Sequence, residues 1–280
     1  MLHRTYGPDS PLSDFVEDVW LYDDYTPAHR RERILPSGTI ELVVNLNDDE
    51  LRIYDRVRAG VCERFSGAIV SGTYGRFFVI DTAEEASLLG VHFRPGGAFP
   101  FFGLPASELV DTHVDLETLW GRSARELRDR LRAATTPLAR FRVAEAALLA
   151  HLSDSATPHR AVRFALDRFR RSPAVNGRAL CAQIGLSQRR FIEVFKAQVG
   201  LTPKLFHRVQ RFHQLLGLVR HTPSPDWSRL AADCGFFDQS HLIHDFVGFS
   251  GFSPAVFARH QQALERRGIH LKRHHLPLID

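Results

Sequence analysis

The stretch that decides the fold of the C-terminal region is Leu180-Cys-Ala-Gln-Ile-Gly-Leu-Ser187, which recurs about 50 residues later as Leu230-Ala-Ala-Asp-Cys-Gly-Phe-Phe237. Each copy continues with two apolar residues four apart, a glycine and a Thr/Ser-Pro dipeptide. These residues are Phe191, Phe195, Gly200 and Thr202-Pro203 in the first copy, and Leu242, Phe246, Gly251 and Ser253-Pro254 in the second. The duplication predicts two copies of one helical unit.

The spacing within each copy is typical of a helix-turn-helix. Gly185 and Gly235 suit the left-handed backbone at the end of a first helix. Ser187 and Asp238 can cap the next helix, whose buried face is then fixed by the apolar pair four residues apart. A single copy would fit an αα-hairpin used only for packing; two matched copies favour helix-turn-helix units that bind DNA.

The outward face of the second helix in each unit is the predicted DNA-reading surface. Gln can form two hydrogen bonds with adenine and Arg with guanine, while Ile192 and Ile243 either touch a thymine methyl or belong to the rim of the core. The candidate DNA-binding residues are Ser187, Gln188, Arg189, Arg190, Ile192, Glu193, Lys196, Asp238, Gln239, Ser240, Ile243 and His244.

One long helix is predicted between the two units, over Pro203–Val219. It would hold the two reading helices so that they enter successive major grooves, about 34 Å apart. Its apolar face is predicted to contain Leu205, Val209, Phe212, Leu216 and Val219, with Lys204, Arg208 and Arg211 solvated.

Residues 159–260 resemble the DNA-binding domain of the AraC family of bacterial transcription regulators. The likeness is strongest in Ala231-Ala-Asp-Cys-Gly-Phe-Phe-Asp-Gln-Ser-His241, followed by Phe246 and Gly251-Phe-Ser-Pro254. The resemblance implies an all-helical domain with two lobes that reads DNA with two recognition helices. The chain departs from the family at Glu193 and His244, where arginine is common; these residues predict a modest or pH-dependent affinity for DNA.

The N-terminal region reads as strands and turns. Strands are predicted at Thr39–Leu46, Phe77–Ile80 and Leu88–Phe93, and helices over 114–152. Leu35-Pro-Ser-Gly38, Gly72 and Gly90-Val-His-Phe-Arg-Pro-Gly96 resemble an uncharacterised domain often found ahead of AraC-type domains. The resemblance implies a role in sensing a small molecule or in dimerisation.

These patterns predict an α+β protein: a β-rich barrel or sandwich at 1–112, a helical connector and linker at 113–158, a DNA-binding domain at 159–262 and a partly disordered basic, His-rich tail at 263–280. Residues 1–158 hold 17 Lys/Arg and 24 Asp/Glu, whereas residues 159–280 hold 19 and 8, so the net charges are −7 and +11. The basic half favours a polyanionic partner.

Other functions receive weaker support from the sequence. His92 stands alone, and His270, His274 and His275 in the tail could bind metal in vitro without functional meaning, so no metal and no cofactor is predicted. Phe99–Gly103 could line an effector pocket but favours core packing. An enzyme built on the β domain and an adaptor whose helical repeat no longer binds DNA remain alternatives.

The predicted partners are double-stranded DNA, a small-molecule effector and a second copy of the chain. No apolar run reaches the roughly 18–20 residues of a membrane span, and the cytoplasm is the expected location.

Overall fold

The computed structural model describes residues 2–23, 29–58, 60–82, 86–153, 157–172, 175, 177–220, 222, 225–269 and 274–278. Among these residues, no helix combines the length and the apolar character that a transmembrane span requires.

Eleven strands, β1 to β11, are described. In chain order they are Leu2–Tyr6, Val16–Asp23, Arg31–Ile34, Glu41–Asn45, Glu50–Tyr54, Cys62–Ser66, Ala68–Ser71, Phe78–Asp81, Ser87–Phe93, His113–Asp115 and His275–Leu278. They form a six-stranded sheet in the order β1-β2-β9-β4-β7-β10 and a five-stranded sheet in the order β11-β3-β8-β5-β6. All of their pairings are antiparallel.

Eleven helices, α1 to α11, are described. In chain order they are Phe99–Phe102, Leu116–Trp120, Arg122–Ala133, Pro137–His151, Arg160–Arg171, Gly177–Ile184, Gln188–Val199, Pro203–Val219, Trp227–Asp233, Gln239–Ser250 and Pro254–Arg266. The α+β fold predicted from the sequence, with a β-rich N-terminal part and a helical C-terminal part, is confirmed.

The six-stranded sheet is covered on both faces. Leu21, Val44 and Val91 belong to a core shared with α1 to α4, whereas Trp20 and Leu88 belong to a second core between the two sheets. Every residue of β7 and β9 is therefore buried, because neither face of these central strands meets solvent. The aromatic turn at 99–103 packs into the first of these cores, as the sequence favoured.

The five-stranded sheet separates the inter-sheet core from the helical domain. Alternate residues of β8 point to opposite sides, so that Phe78 and Ile80 face the space between the sheets, whereas Val79 joins the core of the helical domain. Leu35 and Phe77 join the same core, together with residues of α5, α7, α8, α10 and α11. The N-terminal and C-terminal parts thus share one continuous hydrophobic cluster.

The predicted long helix is present as α8, with the predicted bounds. Two predictions about its surface are wrong. Arg208 and Arg211 are not solvated cations, since both form ion pairs with the buried carboxylate of Asp245. Phe206 and Leu215, which the sequence pattern did not assign to the apolar face, are buried.

The tail is more ordered than the sequence predicts. His275–Leu278 forms β11, which pairs antiparallel with β3 and so becomes an edge strand of the N-terminal sheet. His270 and residues 271–273 lie outside the described residues, as does part of the predicted linker, 154–156. The tail strand is long-range structure that local composition does not reveal, because its partner lies about 240 residues earlier in the chain.

Candidate functional site

Both predicted helix-turn-helix units are formed. In the first unit α6 is followed by α7, and in the second α9 is followed by α10. Gly185 and Gly235 have φ of +71° each, in the left-handed region that the turn requires. Ser187 Oγ accepts a hydrogen bond from the Arg190 amide, and the Asp238 carboxylate accepts one from the His241 amide, so both residues cap their helices.

The predicted DNA-reading residues are accessible. The apolar pairs Phe191/Phe195 and Leu242/Phe246 are buried, which turns the opposite side of each helix outward. Ile192 is partly buried, and the other eleven candidates are exposed: Ser187, Gln188, Arg189, Arg190, Glu193, Lys196, Asp238, Gln239, Ser240, Ile243 and His244. The first turns of α7 and α10 are therefore open to solvent.

Glu193 changes the charge of the first reading surface. Its carboxylate accepts a hydrogen bond from Arg189 Nε at 3.0 Å and lies 3.5 Å from Arg190 Nη1. The hydrogen bond from Arg189 lowers the pKa of Glu193, so the carboxylate stays ionised. Two of the three cations predicted to meet DNA in this unit are thus partly neutralised by an anion on the same helix.

Two exposed apolar side chains belong to the second reading surface but were not predicted. Phe237, in the turn before α10, is 91% exposed, and Val247 is 43% exposed on α10 itself. The sequence signal that could have identified Phe237 is the Gly235-Phe-Phe run, in which only the first aromatic, Phe236, is buried. An exposed apolar group beside the capping residue suits contact with thymine methyl groups.

The second predicted reading helix, α10, is held against α8 by ion pairs to a buried carboxylate. Asp245 on α10 is buried, and its Oδ1 accepts a hydrogen bond from Arg208 Nη2 at 2.6 Å. Arg211 lies 3.6 Å from the other carboxylate oxygen and also donates to the Gly235 carbonyl. These contacts fix the orientation of α10 relative to the helix that joins the two units.

A small cavity of about 70 Å³ lies between the two sheets. Most of its lining is apolar, as in pockets that bind small molecules. The lining residues come from nine of the strands and include Trp20, Tyr22, Ile34, Val43, Leu51, Ile53, Ile69, Phe78, Ile80 and Leu88. The sequence predicted a β-rich sensor but named none of these residues, because the cavity exists only once the strands are paired.

A row of polar residues crosses the six-stranded sheet beside this cavity. Asp18, His92, Glu41, Ser71 and His113 are neighbours in register on β2, β9, β4, β7 and β10. The His113 ring forms hydrogen bonds with the Ser71 and Tyr74 hydroxyls. Burial lowers the pKa of His113 to about 3, against a smaller opposing effect of Glu41, so the ring is neutral. None of these five residues was predicted to be functional, because only the strand register aligns them.

Strand β3 connects the cavity with the second reading helix. Ile34 lines the cavity, while the preceding residue, Arg33, points to the opposite face and donates to the Ser250 carbonyl at the end of α10, 2.9 Å away. The Arg33 guanidinium also lies over the rings of Phe77 and Phe252. Burial lowers the pKa of Arg33.

Comparison with known proteins gives two domain matches. Residues 180–260 match a family described as a helix-turn-helix domain, and residues 4–115 match a domain of unknown function, DUF6597. No curated protein matches the chain.

Solved structures of ToxT from Vibrio cholerae are similar to the chain at low identity. An apo form of a ToxT variant shares 11% identity over 86% of this chain and 96% of that chain, with a TM-score of 0.45. ToxT with a bound unsaturated fatty acid shares 9% identity over 86% and 93%, with a TM-score of 0.43.

The domain match and the paired glycines, caps and apolar residues of the two units agree in position. The chain is therefore similar to the helix-turn-helix domain family at residues 180–260, which include both helical units, and to DUF6597 at residues 4–115, in its β-rich part.

Proposed function

We propose that the chain is a sequence-specific DNA-binding transcription regulator that reads two successive major grooves with α7 and α10. The observation that carries this proposal is the exposure of the first turn of both reading helices in a matched pair of helix-turn-helix units. The excess positive charge of residues 159–280 supports it, because cations that neutralise phosphates supply most of the sequence-independent affinity for DNA. Such a regulator would act in the cytoplasm, where bacterial DNA is accessible.

The direct test is footprinting of the purified chain on DNA upstream of its own gene and of neighbouring genes. A protected site is expected to span two major grooves on one side of the duplex, and binding is expected to weaken steeply with salt. Arg189→Ala and Gln239→Ala should each cost about 1–3 kcal/mol on the protected site, since each removes a side chain that can bond a base. Arg122→Ala, an exposed ion-paired arginine on α3, is the matched control.

Unchanged binding by both the Arg189→Ala and the Gln239→Ala variants would contradict the proposed reading surface. Retained in vivo behaviour in the same two variants would favour the adaptor function instead.

We further propose that a mainly apolar small molecule binds between the two sheets and regulates DNA binding. The lining of the cavity is mainly apolar with a few polar groups among the apolar ones, which is the chemistry usual for small-molecule pockets. Because β3 has one face on the cavity and the other on the end of α10, a ligand that shifts Ile34 also shifts the Arg33–Ser250 contact. Displacement of one strand would in this way change how the second reading helix is presented.

The effector proposal is tested by filling the cavity. Val43→Trp should abolish the thermal stabilisation that a hit from an apolar ligand library produces in the parent chain, whereas Val61→Trp, at an exposed position, should retain it. A ligand that stabilises both variants equally binds elsewhere and would refute this site. A second copy of the chain as partner stays a prediction.

A further inference from the structure

Three groups that can ligate a metal meet where the C-terminal tail contacts the six-stranded sheet. Glu41 on β4, His92 on β9 and His274, just before β11, place one ligand atom each within 4.8 Å of the others. His92 Nε2 lies 2.9 Å from Glu41 Oε1, and His274 Nε2 lies 3.9 Å from Glu41 Oε2. All three side chains are largely buried, so this is not a chance grouping on the surface.

The groups around the three residues orient them toward one another. The Asp18 carboxylate bonds to His92 Nδ1 at 2.8 Å, which turns the other ring nitrogen, Nε2, toward Glu41. Trp20 Nε1 donates to Glu41 Oε1 at 2.8 Å. A histidine held by a carboxylate on one nitrogen, with the other nitrogen facing a shared point, is the usual arrangement of metal-binding histidines in proteins.

We propose that Glu41, His92 and His274 bind one divalent transition-metal ion of the Zn²⁺ type. Zn–N and Zn–O distances are about 2.0–2.2 Å, so ligand atoms on a tetrahedral ion lie about 3.3–3.6 Å apart. The three groups, whose ligand atoms lie within 4.8 Å of one another, need to close by up to about 1.5 Å. Two imidazoles and one carboxylate favour Zn²⁺ over Mg²⁺ or Ca²⁺, which prefer all-oxygen ligands. His92 and His274 also line a cavity together with His3, Thr5 and Tyr22, so a further ligand such as water could reach the ion from that side.

The proposed ion would cross-link distant parts of the chain. His274 immediately precedes β11, and β11 pairs with β3, the strand that also contacts the end of α10. Glu41 and His92 lie in the other sheet. The ion would therefore fasten the C-terminal tail and join the two sheets, independently of whether the helical domain binds DNA.

Metal uptake by the purified, untagged full chain tests the proposal without any DNA. After dialysis against a chelator and titration with Co²⁺ or Zn²⁺, one ion per chain is expected, with Co²⁺ absorption bands typical of low coordination number. Glu41→Gln and His274→Ala should lose this uptake. The matched controls His275→Ala, whose ring pairs with Glu32, and His244→Ala, on the exposed face of α10, should retain it.

Asp18→Asn separates a metal site from a purely structural cluster. It should keep the stoichiometry of one ion while weakening affinity by about 10–100-fold, as changes to outer-sphere partners do. Added Zn²⁺ should also raise the unfolding temperature of the parent chain and protect its C-terminal tail from carboxypeptidase. The proposal would be overturned if the folded parent chain took up no metal, or if His274→Ala and Glu41→Gln took up as much metal as the parent chain.

Discussion

Glu193 lies on the exposed side of α7, within reach of two arginines that would otherwise be available to DNA. Side chains four residues apart on a helix are neighbours, so Glu193 and Arg189 form their ion pair within one helix. The pair can therefore form whether or not DNA is bound. A protein that approaches DNA with this surface must either break the pair or bring a negative charge close to the phosphates.

Replacing Glu193 with Gln is expected to tighten DNA binding. The variant frees Arg189 and Arg190 to contact phosphates, so the slope of log affinity against log salt should become steeper by about 0.9 for each additional phosphate that is neutralised. Filter binding over a salt series measures this slope. Glu117→Gln serves as the control, because it removes an exposed ion-pair partner of Arg125 on α2 and α3, outside the helix-turn-helix units. A slope equal to that of the parent would show that the arginines already bind phosphate.

We expect the protonation of His113 to make the free energy of unfolding of the chain depend on pH. Its folded pKa of about 3 lies below the ordinary value of about 6.5, so between these values the unfolded chain binds more protons than the folded one. The stability it contributes is complete above about pH 6.5 and falls toward pH 3, by up to about 1.4 kcal/mol per pH unit. His213 and His274, whose pKa values burial also lowers, add to this trend.

The measurement is urea unfolding of the parent chain and of His113→Gln across this pH range. Gln can keep a bond to the Ser71 or Tyr74 hydroxyl but does not titrate, so the variant should show a shallower loss of stability with falling pH. An exposed histidine variant, His244→Gln, should follow the parent. Parallel curves for the parent and His113→Gln would disprove the assignment.

Which single residues were predictable depended on how far away their partners lie in the chain. The exposure of Gln188 and Gln239 followed from helical periodicity, since the buried residues of the same helix fixed the outward side. The row through His92 could not be predicted, because it depends on the register of strands separated by tens of residues. His92 therefore looked isolated in the sequence although two carboxylates contact it in the fold.

At the scale of elements, α8 is the link between the two reading helices. Its Val209, Phe212 and Leu216 are buried in the core of the helical domain, and Phe212 packs edge-on against the Phe246 ring of α10. The Arg208–Asp245 ion pair adds a polar contact beside these rings. Together these contacts fix the orientation of α10 relative to α8.

Asp245→Ala is expected to destabilise the chain strongly. Removing the buried carboxylate leaves Arg211 and the partly exposed Arg208 without their counter-charge; the cost should approach the roughly 3–5 kcal/mol of a fully buried pair only as far as water is kept from these arginines. Denaturant unfolding should show this loss, with DNA affinity falling as α10 is released. Asp167→Ala, at a partly exposed residue of α5 that pairs with the exposed Arg170, is the control and should cost less than about 1 kcal/mol. A loss for Asp245→Ala no larger than that of the control would contradict this role.

The bounds of α8 were predictable because Thr202 caps it and Pro203 occupies its first turn, and both are local signals. The ion-pair partners on the charged side of α8 were not predictable. An amphipathic pattern places Arg211 away from the apolar stripe but cannot reveal that a carboxylate from the second unit lies there.

At the scale of the whole molecule, the layers follow one another from α1–α4 through the six-stranded sheet and the five-stranded sheet to the helical domain. His213 Nε2 and the Pro36 carbonyl, 2.6 Å apart, and the Arg33–Ser250 contact add polar links across the last of these boundaries. The cavity and the reading helices are therefore separated by a single sheet.

Gly251→Ala is expected to disturb the contact between the domains. A Cβ at Gly251 would lie 2.6 Å from the Phe77 ring and 2.9 Å from Arg33, whereas a Cβ at Gly185 would meet nothing within 4 Å. Both glycines have nearly the same φ, +73° and +71°, so Gly185→Ala reports the backbone cost alone, about 1–2 kcal/mol. The excess loss of stability in Gly251→Ala measures the domain contact by urea unfolding. Equal losses in the two variants would show that the contact contributes nothing.

The sequence predicted the order of the two parts but not their shared core. Charge and periodicity describe each part by itself, whereas Leu35 and Phe77 are read as ordinary residues of a β domain until the helices are placed against them. The domain boundaries at 112, 158 and 262 consequently stay predictions, and they do not mark separate hydrophobic cores.

The position of β11 has a consequence for how the protein is made. β3 is synthesised about 240 residues before its edge partner β11, so one side of β3 stays unpaired until residues 275–278 have been made. Unpaired strand edges attract other chains. A truncation before His274, or a bulky fusion at the C-terminus, would leave that edge open permanently. The product should then aggregate even though residues 4–115 are intact.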